Sequence, residues 1–184
     1  MIKCNWVINL RVISGKYKGK NIMGFNIEGT RPTMDRVKES MFASIQTKLK
    51  NSICLDLFAG SGSLGIEALS NGAKECYFVE KHDEIYKILK QNLNTIEGSI
   101  LLKKDYKQAL KELENKKFDI IFLDPPYKLN LINDILNYIY EKNLLNDGGI
   151  VVCEYETEKV LNENLKLIKN KKYGTKKVDF YEKI

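Results

Sequence analysis

Short apolar runs alternate with stretches of helical spacing along most of the chain. From residue 53 the runs are ICLDLF (53–58), ECYFVE (75–80), SILLK (99–103), FDIIFL (118–123) and GGIVVCEYE (148–156). Helical patterns lie between them near 63–72 and 83–94, in YKQALKELE, and around 130–142. Apolar runs of this length, separated by helices, predict strands of a parallel sheet covered on both faces. LKLIKNK and TKKVDFYEK, joined by Tyr173-Gly174, predict a closing hairpin. The expected fold is α/β: a Rossmann-like, doubly wound, mostly parallel seven-stranded sheet with a C-terminal antiparallel hairpin.

Residues 1–50 follow another pattern. LRVISGKYKGKNIM predicts a hairpin turning near Gly15–Gly19, with positive charge concentrated at the turn. In TRPTMDRVKESMFASI, the residues Met34, Val37, Met41, Phe42 and Ile45 recur at helical spacing, and Thr33 is suited to cap that helix. No internal repeat or low-complexity linker separates this part from the rest. Residues 1–50 are therefore expected to form a hairpin-and-helix extension packed on a 51–184 domain, without independent stability.

Composition narrows the class. The 184 residues suffice for one sizeable core, and 43% hydrophobic with 29% charged residues is ordinary for a globular chain. A net charge of +6 leans toward an anionic partner such as nucleic acid, although lysines also simply solvate a surface. Cys4, Cys54, Cys76 and Cys153 form no CxxC pair. The last three fall in apolar runs and are expected in the core, reduced. His82 is the sole histidine, so no metal site is expected; its own place is a solvated helix start. The apolar run of MIKCNWVINLRVIS is too short for a signal peptide and no stretch could span a bilayer, so a cytoplasmic address is expected.

Chemistry concentrates at two motifs. In LDLFAGSGSLGIEAL, Gly60, Gly62 and Gly65 match G-x-G-x-x-G. That pattern alone fits a nicotinamide or flavin dinucleotide, a methyl-donor nucleoside, or tight packing. Glu80, about 20 residues on, suits a ribose diol. Asp56 precedes the loop, where a carboxylate serves a pyrophosphate poorly but suits sulfonium and ammonium groups. Asp105, before Tyr106, can accept from an adenine amine or cap the helix that follows.

The second motif ends FDIIFLDPPYK. Proline cannot continue a hydrogen-bonded ladder and forces its predecessor out of the helical region. Asp124, Pro125, Pro126 and Tyr127 therefore predict a stiff corner at a strand end. It presents a carboxylate, a carbonyl and a ring in fixed relation. Such a corner has no job in hydride transfer. It suits an exocyclic nucleobase amine, whose two N–H groups can be accepted by Asp124 and by the Pro125 carbonyl. A Tyr127 ring stacked on the base is worth ~1–3 kcal/mol. With Asp56 before the glycines, the corner points to S-adenosylmethionine.

These motifs resemble a known family. DPPY with LDLFAGSG is similar to the nucleic-acid amino-methyltransferases. RVISGKYKGK (11–20), TRPTMDRVKESMF (30–42), LDLFAGSGSLGIEALSNGA (55–73) and KKYGTKKVDFY (171–181) resemble the bacterial small-subunit ribosomal RNA guanine-N2 methyltransferases, nearly end to end. The resemblance implies a class I methyltransferase that modifies a guanine N2 amine in 16S ribosomal RNA, within an assembled or assembling subunit, as a monomer without metal or membrane. It implies a donor site of Asp56, Phe58, Gly60, Gly62, Glu80, Asp105 and Tyr106, with Thr33 near the donor's methionine end. It implies RNA phosphate contacts from Arg11, Lys16, Lys18, Lys20, Arg31 and Arg36. The alternatives are a DNA adenine-N6 methyltransferase, which would need base-reading elements not seen here, a non-catalytic RNA-binding assembly factor, and a dinucleotide oxidoreductase.

Overall fold

The computed structural model describes residues 9–25, 35–126, 131–157, 160 and 162–183. A short hairpin comes first: β1 (Asn9–Arg11) pairs antiparallel with β2 (Asn21–Met23). Then follow α1 (Asp35–Leu49), β3 (Ile53–Asp56), α2 (Ser63–Ser70), β4 (Glu75–Val79), α3 (Asp83–Leu93), β5 (Ser99–Leu102) and α4 (Tyr106–Glu112). The chain continues through β6 (Phe118–Leu123), α5 (Ile132–Glu141), β7 (Leu145–Tyr155), β8 (Leu165–Tyr173) and β9 (Lys176–Lys183). The seven-stranded sheet has the order β5-β4-β3-β6-β7-β9-β8. β3 to β7 are parallel to one another, and β9 runs antiparallel to both β7 and β8.

Helix positions differ from the periodicity by a residue or two at their ends. The larger departure is β7, which starts at Leu145 rather than 148; its register on β6 shifts between Phe118 and Ile120, which absorbs the extra residues.

Each face of the sheet has its own apolar layer. Cys54, Cys76, Phe78, Ile120, Phe122, Ile150, Val152, Val178 and Phe180 pack on one side with α1, α2 and α3. Leu55, Val79, Ile121, Leu123, Val151, Cys153 and Tyr181 pack on the other, with α4 and α5. Successive strand residues point to opposite faces, which explains the division. Cys54, Cys76 and Cys153 are buried free thiols, and Cys4 lies outside the described residues.

The hairpin and α1 join the first layer through Val12, Ile22, Val37, Met41, Phe42, Ile45 and Leu49. Polar groups set their position. Glu67 of α2 accepts the amides of Ile13 and Ser14, each at 2.9 Å, and pairs with Lys38 of α1 at 3.2 Å. Lys38 also donates to the Arg11 carbonyl at 2.8 Å and to Ser63 Oγ at 3.0 Å. Both charged side chains are 1% exposed. Asn92 of α3 holds the Met23 backbone through its amide and carbonyl, and donates to the Ser61 carbonyl at 2.9 Å. The hairpin is thus tied to the glycine loop itself.

Candidate active site

β3 and β6 are neighbours. Asp56 pairs with Phe122, and the Leu57 amide donates to the Phe122 carbonyl at 3.2 Å. The glycine loop and the Asp124 corner consequently leave the sheet side by side. Strand order also reverses between β3 and β6, the crevice where open α/β sheets take ligands. Asp124 is half-buried, Pro125 buried and Pro126 exposed. Tyr127, Thr33 and Arg31 lie outside the described residues.

Two of the three glycines in the loop need their backbone freedom: Gly60 has φ +55° and Gly62 φ +84°, and Gly62 leads into α2. The third, Gly65, serves packing. A Cβ there would lie 2.3 Å from the Phe78 ring and 2.7 Å from Cys76 Sγ, so its absence lets α2 lie close on β4.

Charged side chains form a row across the strand ends. Phe78, Cys54, Phe122, Val152 and Val178 share one face, and two residues toward the same end lie Glu80, Asp56, Asp124, Glu154 and Lys176. Their order follows the sheet, β4-β3-β6-β7-β9. Four carboxylates therefore stand on neighbouring strands, with one ammonium at the end of the row.

Each carboxylate has a distinct setting. Asp56 is 1% exposed and its Oδ2 accepts the Gly65 amide at 3.0 Å. Burial pushes its carboxyl up to about 7, against the pull of that amide, and Glu80 adds to the rise. Glu80 Oε1 accepts the His82 amide at 2.8 Å, and His82 is the exposed N-cap residue of α3. Burial first, and Glu154 next, push the Asp124 carboxyl well above its ordinary range; Lys176 pulls it down and Asp56 raises it further. Glu154 Oε1 meets Lys176 Nζ at 2.5 Å, with both side chains buried.

The remaining donor-site expectations lie around this row. Asp105 caps α4: its Oδ1 accepts the Lys107 amide at 3.0 Å, and Gln108 completes a capping box. Lys81 approaches Asp105 Oδ2 at 3.7 Å, linking the segments after β4 and β5. Phe58 and Tyr106 are half-buried, with ring centroids 5.4 Å apart.

The basic residues divide between the two ends of the sheet. Arg11 pairs with Asp35 at 3.1 Å, and Arg36 is exposed on the first turn of α1. Lys38 ties this end of α1 to Ser63 at the start of α2, beside the glycine loop. The hairpin tip reaches the opposite end. Gly15 and Lys16 abut Ser70 at the end of α2, Lys16 pairs with Glu97 before β5 at 2.7 Å, and Lys20 donates to Thr95 at 2.8 Å. Lys18 is exposed on the same tip. Lys172 and Lys177 face each other across β8 and β9, level with Tyr155 and hence with the Asp124 end; Lys177 Nζ sits 5.6 Å over the Tyr155 ring.

Sequence reasoning passed over Lys38, Glu67, Asn92, Glu154 and Lys176. Lys38 and Glu67 carried a signal, since each is a charge at a core-facing position of a helical apolar pattern. Lys176 shares the face of Val178 by strand alternation, legible only once the strand's limits are known.

Comparisons with known proteins agree with this architecture. The family model described as conserved hypothetical protein 95 matches residues 10–182. The ribosomal RNA small subunit methyltransferase D of Haemophilus influenzae is 38% identical over 94% of this chain and 93% of its own length. The rRNA methyltransferase YlbH of Bacillus subtilis, which bears that name as a provisional one, is 38% identical over 95% of this chain and 99% of its own. A solved Escherichia coli structure, whose name methyltransferase yhhF is likewise provisional, superposes with a TM-score of 0.84 at 29% identity, covering 96% of this chain and 98% of its own. The chain belongs to the conserved hypothetical protein 95 family, that of the ribosomal RNA small subunit methyltransferase D proteins.

Proposed function

We propose that this chain is an S-adenosylmethionine-dependent methyltransferase that modifies the exocyclic N2 amine of a guanine in small-subunit ribosomal RNA. The adjacency of the Asp56 glycine loop and the Asp124 corner across β3 and β6 carries this reading, because it brings a nucleoside pocket beside an amine-gripping one. The names of the relatives support ribosomal RNA as substrate, and the DPPY corner supports an exocyclic amine. Guanine N2 rests on the likeness of the N-terminal and C-terminal motifs to guanine-N2 enzymes.

The donor set fits its ligand chemically. A row of carboxylates favours a cationic nucleoside over a dinucleotide pyrophosphate. Gly60, Gly62, Glu80, Asp105, Phe58 and Tyr106 would hold the nucleoside, with Asp56 near its charged end and Thr33 flanking it. When bound, the donor supplies an electrophilic methyl group. An aromatic amine is a weak nucleophile because its lone pair is delocalised into the ring. Asp124 and the Pro125 carbonyl each accept one N–H, drawing the nitrogen toward tetrahedral geometry and stabilising the positive charge that develops. Asp124 then takes the released proton, which its raised affinity for protons favours. Tyr127 stacks on the base, which must leave its own stack to enter.

RNA is expected to lie over the Asp124 end of the sheet, between Arg11 and Arg36 on one side and Lys172 and Lys177 on the other. Lys16, Lys18 and Lys20, at the opposite end, would reach only RNA that wraps the N-terminal extension. Substituting Asp124→Ala tests the assignment. Turnover should vanish while donor binding by calorimetry stays near wild type, and unchanged turnover contradicts it.

A further inference from the structure

We propose that Lys176 is a positioning residue: through its ion pair with Glu154 it supplies the counter-ion that favours the carboxylate form of Asp124 at the substrate amine. The inference rests on the methyltransferase reading for its catalytic meaning, but its electrostatic content does not.

Strand register sets the neighbours of Asp124. Leu123 pairs with Cys153, so Asp124 stands beside Glu154 on the same face, about 5 Å away in strand spacing. Glu154 pairs with Val178, which brings Lys176 to the next strand along that row. Lys176 Nζ lies 2.5 Å from Glu154 Oε1 and its residue is 7% exposed, so the charge is held inside rather than extended to solvent. Two neighbouring carboxylates in such surroundings cannot both ionise without a cation, because like charges drive one of them to keep a proton. A protonated Asp124 loses an acceptor for the amine hydrogen and cannot take up the proton of the reaction.

Other charges facing Asp124 do not fill this role. Asp56 of β3 is an acid and adds to the repulsion, and Glu80 beyond it on β4 acts on Asp56 in the same sense. On α1, packed across the same face, Lys38 is bound to Glu67, while Arg36 and Glu39 are exposed. Lys171 of β8 is level with Glu154 on the same face, but its Nζ is turned to α1, donating to the Ser40 carbonyl at 2.7 Å and to Ser40 Oγ at 2.6 Å. Lys176 is therefore the cation paired to the carboxylate beside Asp124 among the described residues.

Titration of the Asp124 carboxyl by carbon-13 NMR, assigned through its loss in Asp124→Asn, reads the effect without turnover. In Lys176→Met the midpoint should move up by about one pH unit or more, and Lys176→Arg should restore it. The acid limb of kcat/KM should move with it, a loss of about tenfold on the acid side that is recovered at alkaline pH. Lys176→Gln, which keeps a polar group beside Glu154, should move the midpoint the same way and supplies the test should Lys176→Met fail to fold. An unmoved midpoint in either variant, or a uniform fall in kcat/KM with an unchanged pH profile, overturns the proposal. Should the wild-type protein transfer no methyl group to ribosomal RNA, the functional reading falls while the carboxyl titration still decides the counter-ion.

Discussion

The Asp56 carboxylate accepts the Gly65 amide at 3.0 Å, joining the end of β3 to the first turn of α2 across the glycine loop. One side chain thereby sets the shape of the loop and keeps a buried acid at its base. Its partner strand β6 delivers Asp124 to the same rim, so the glycine loop and the corner proposed to grip substrate share a foundation.

The raised carboxyl of Asp56 gives a stability prediction with a definite sign. Folding strengthens proton binding from the ordinary 3.8 to about 7, so this group's contribution is present in acid and lost as pH rises through that window. Asp56→Asn, which can still accept the Gly65 amide, should gain thermal stability relative to wild type as pH increases from about 4 to 7. Thermal melts of the two proteins across that range check this; a constant difference contradicts it. A cationic donor stabilises the ionised form, so donor affinity in wild type should rise over the same window and flatten in Asp56→Asn.

Lys38 and Glu67 form a sealed pair that also holds the hairpin. Burial lowers the proton affinity of Lys38, with Glu67 opposing. Removing one partner leaves the other charged and unmatched, which typically costs ~3–5 kcal/mol. Lys38→Met should therefore lower the denaturant midpoint strongly, and the double variant Lys38→Met/Glu67→Gln should lose less than the sum of the single changes. Additive losses would show that the pair is not coupled.

At Gly65 a single methyl group is predicted to be costly. Alanine there would place a Cβ against the Phe78 ring and Cys76 Sγ, and overpacking of this kind costs ~1–3 kcal/mol. Chemical denaturation of Gly65→Ala measures it. A variant as stable as wild type would mean that α2 can lift from β4 freely.

Salt dependence separates the two basic regions. Neutralising one phosphate fewer reduces the slope of log affinity against log salt by about 0.7–0.9. Lys172→Gln/Lys177→Gln should flatten the slope for ribosomal RNA and lower kcat/KM, with donor affinity unchanged. Lys16→Gln/Lys18→Gln should act mainly on binding of RNA long enough to wrap the extension. Equal effects of both pairs on a short RNA carrying the target would remove the rim footprint.

Sequence patterning reveals elements that are local in cause. Apolar runs such as FDIIFL and ICLDLF become buried parallel strands because alternation and length are intrinsic to them. The corner at Asp124 is visible because two prolines forbid continuation. Asp105 illustrates an ambiguity: its position fits capping and adenine binding alike, and the capping bonds are evident only in the fold. Partnerships across the chain are not legible. Nothing in DRVKES says that Lys38 meets Glu67, and the charge of GKYKGK does not say which end of the sheet its tip will reach. That end is set by Gly15 and Lys16 closing on Ser70 and by Glu67 receiving Ile13 and Ser14.

The most direct test is transfer of labelled methyl groups to small subunits purified from cells lacking the gene, followed by mass spectrometry of the nucleosides. The account predicts label in N2-methylguanosine at one position of the ribosomal RNA, dependent on Asp124. Label confined to DNA, or recovered as N6-methyladenine, would contradict it.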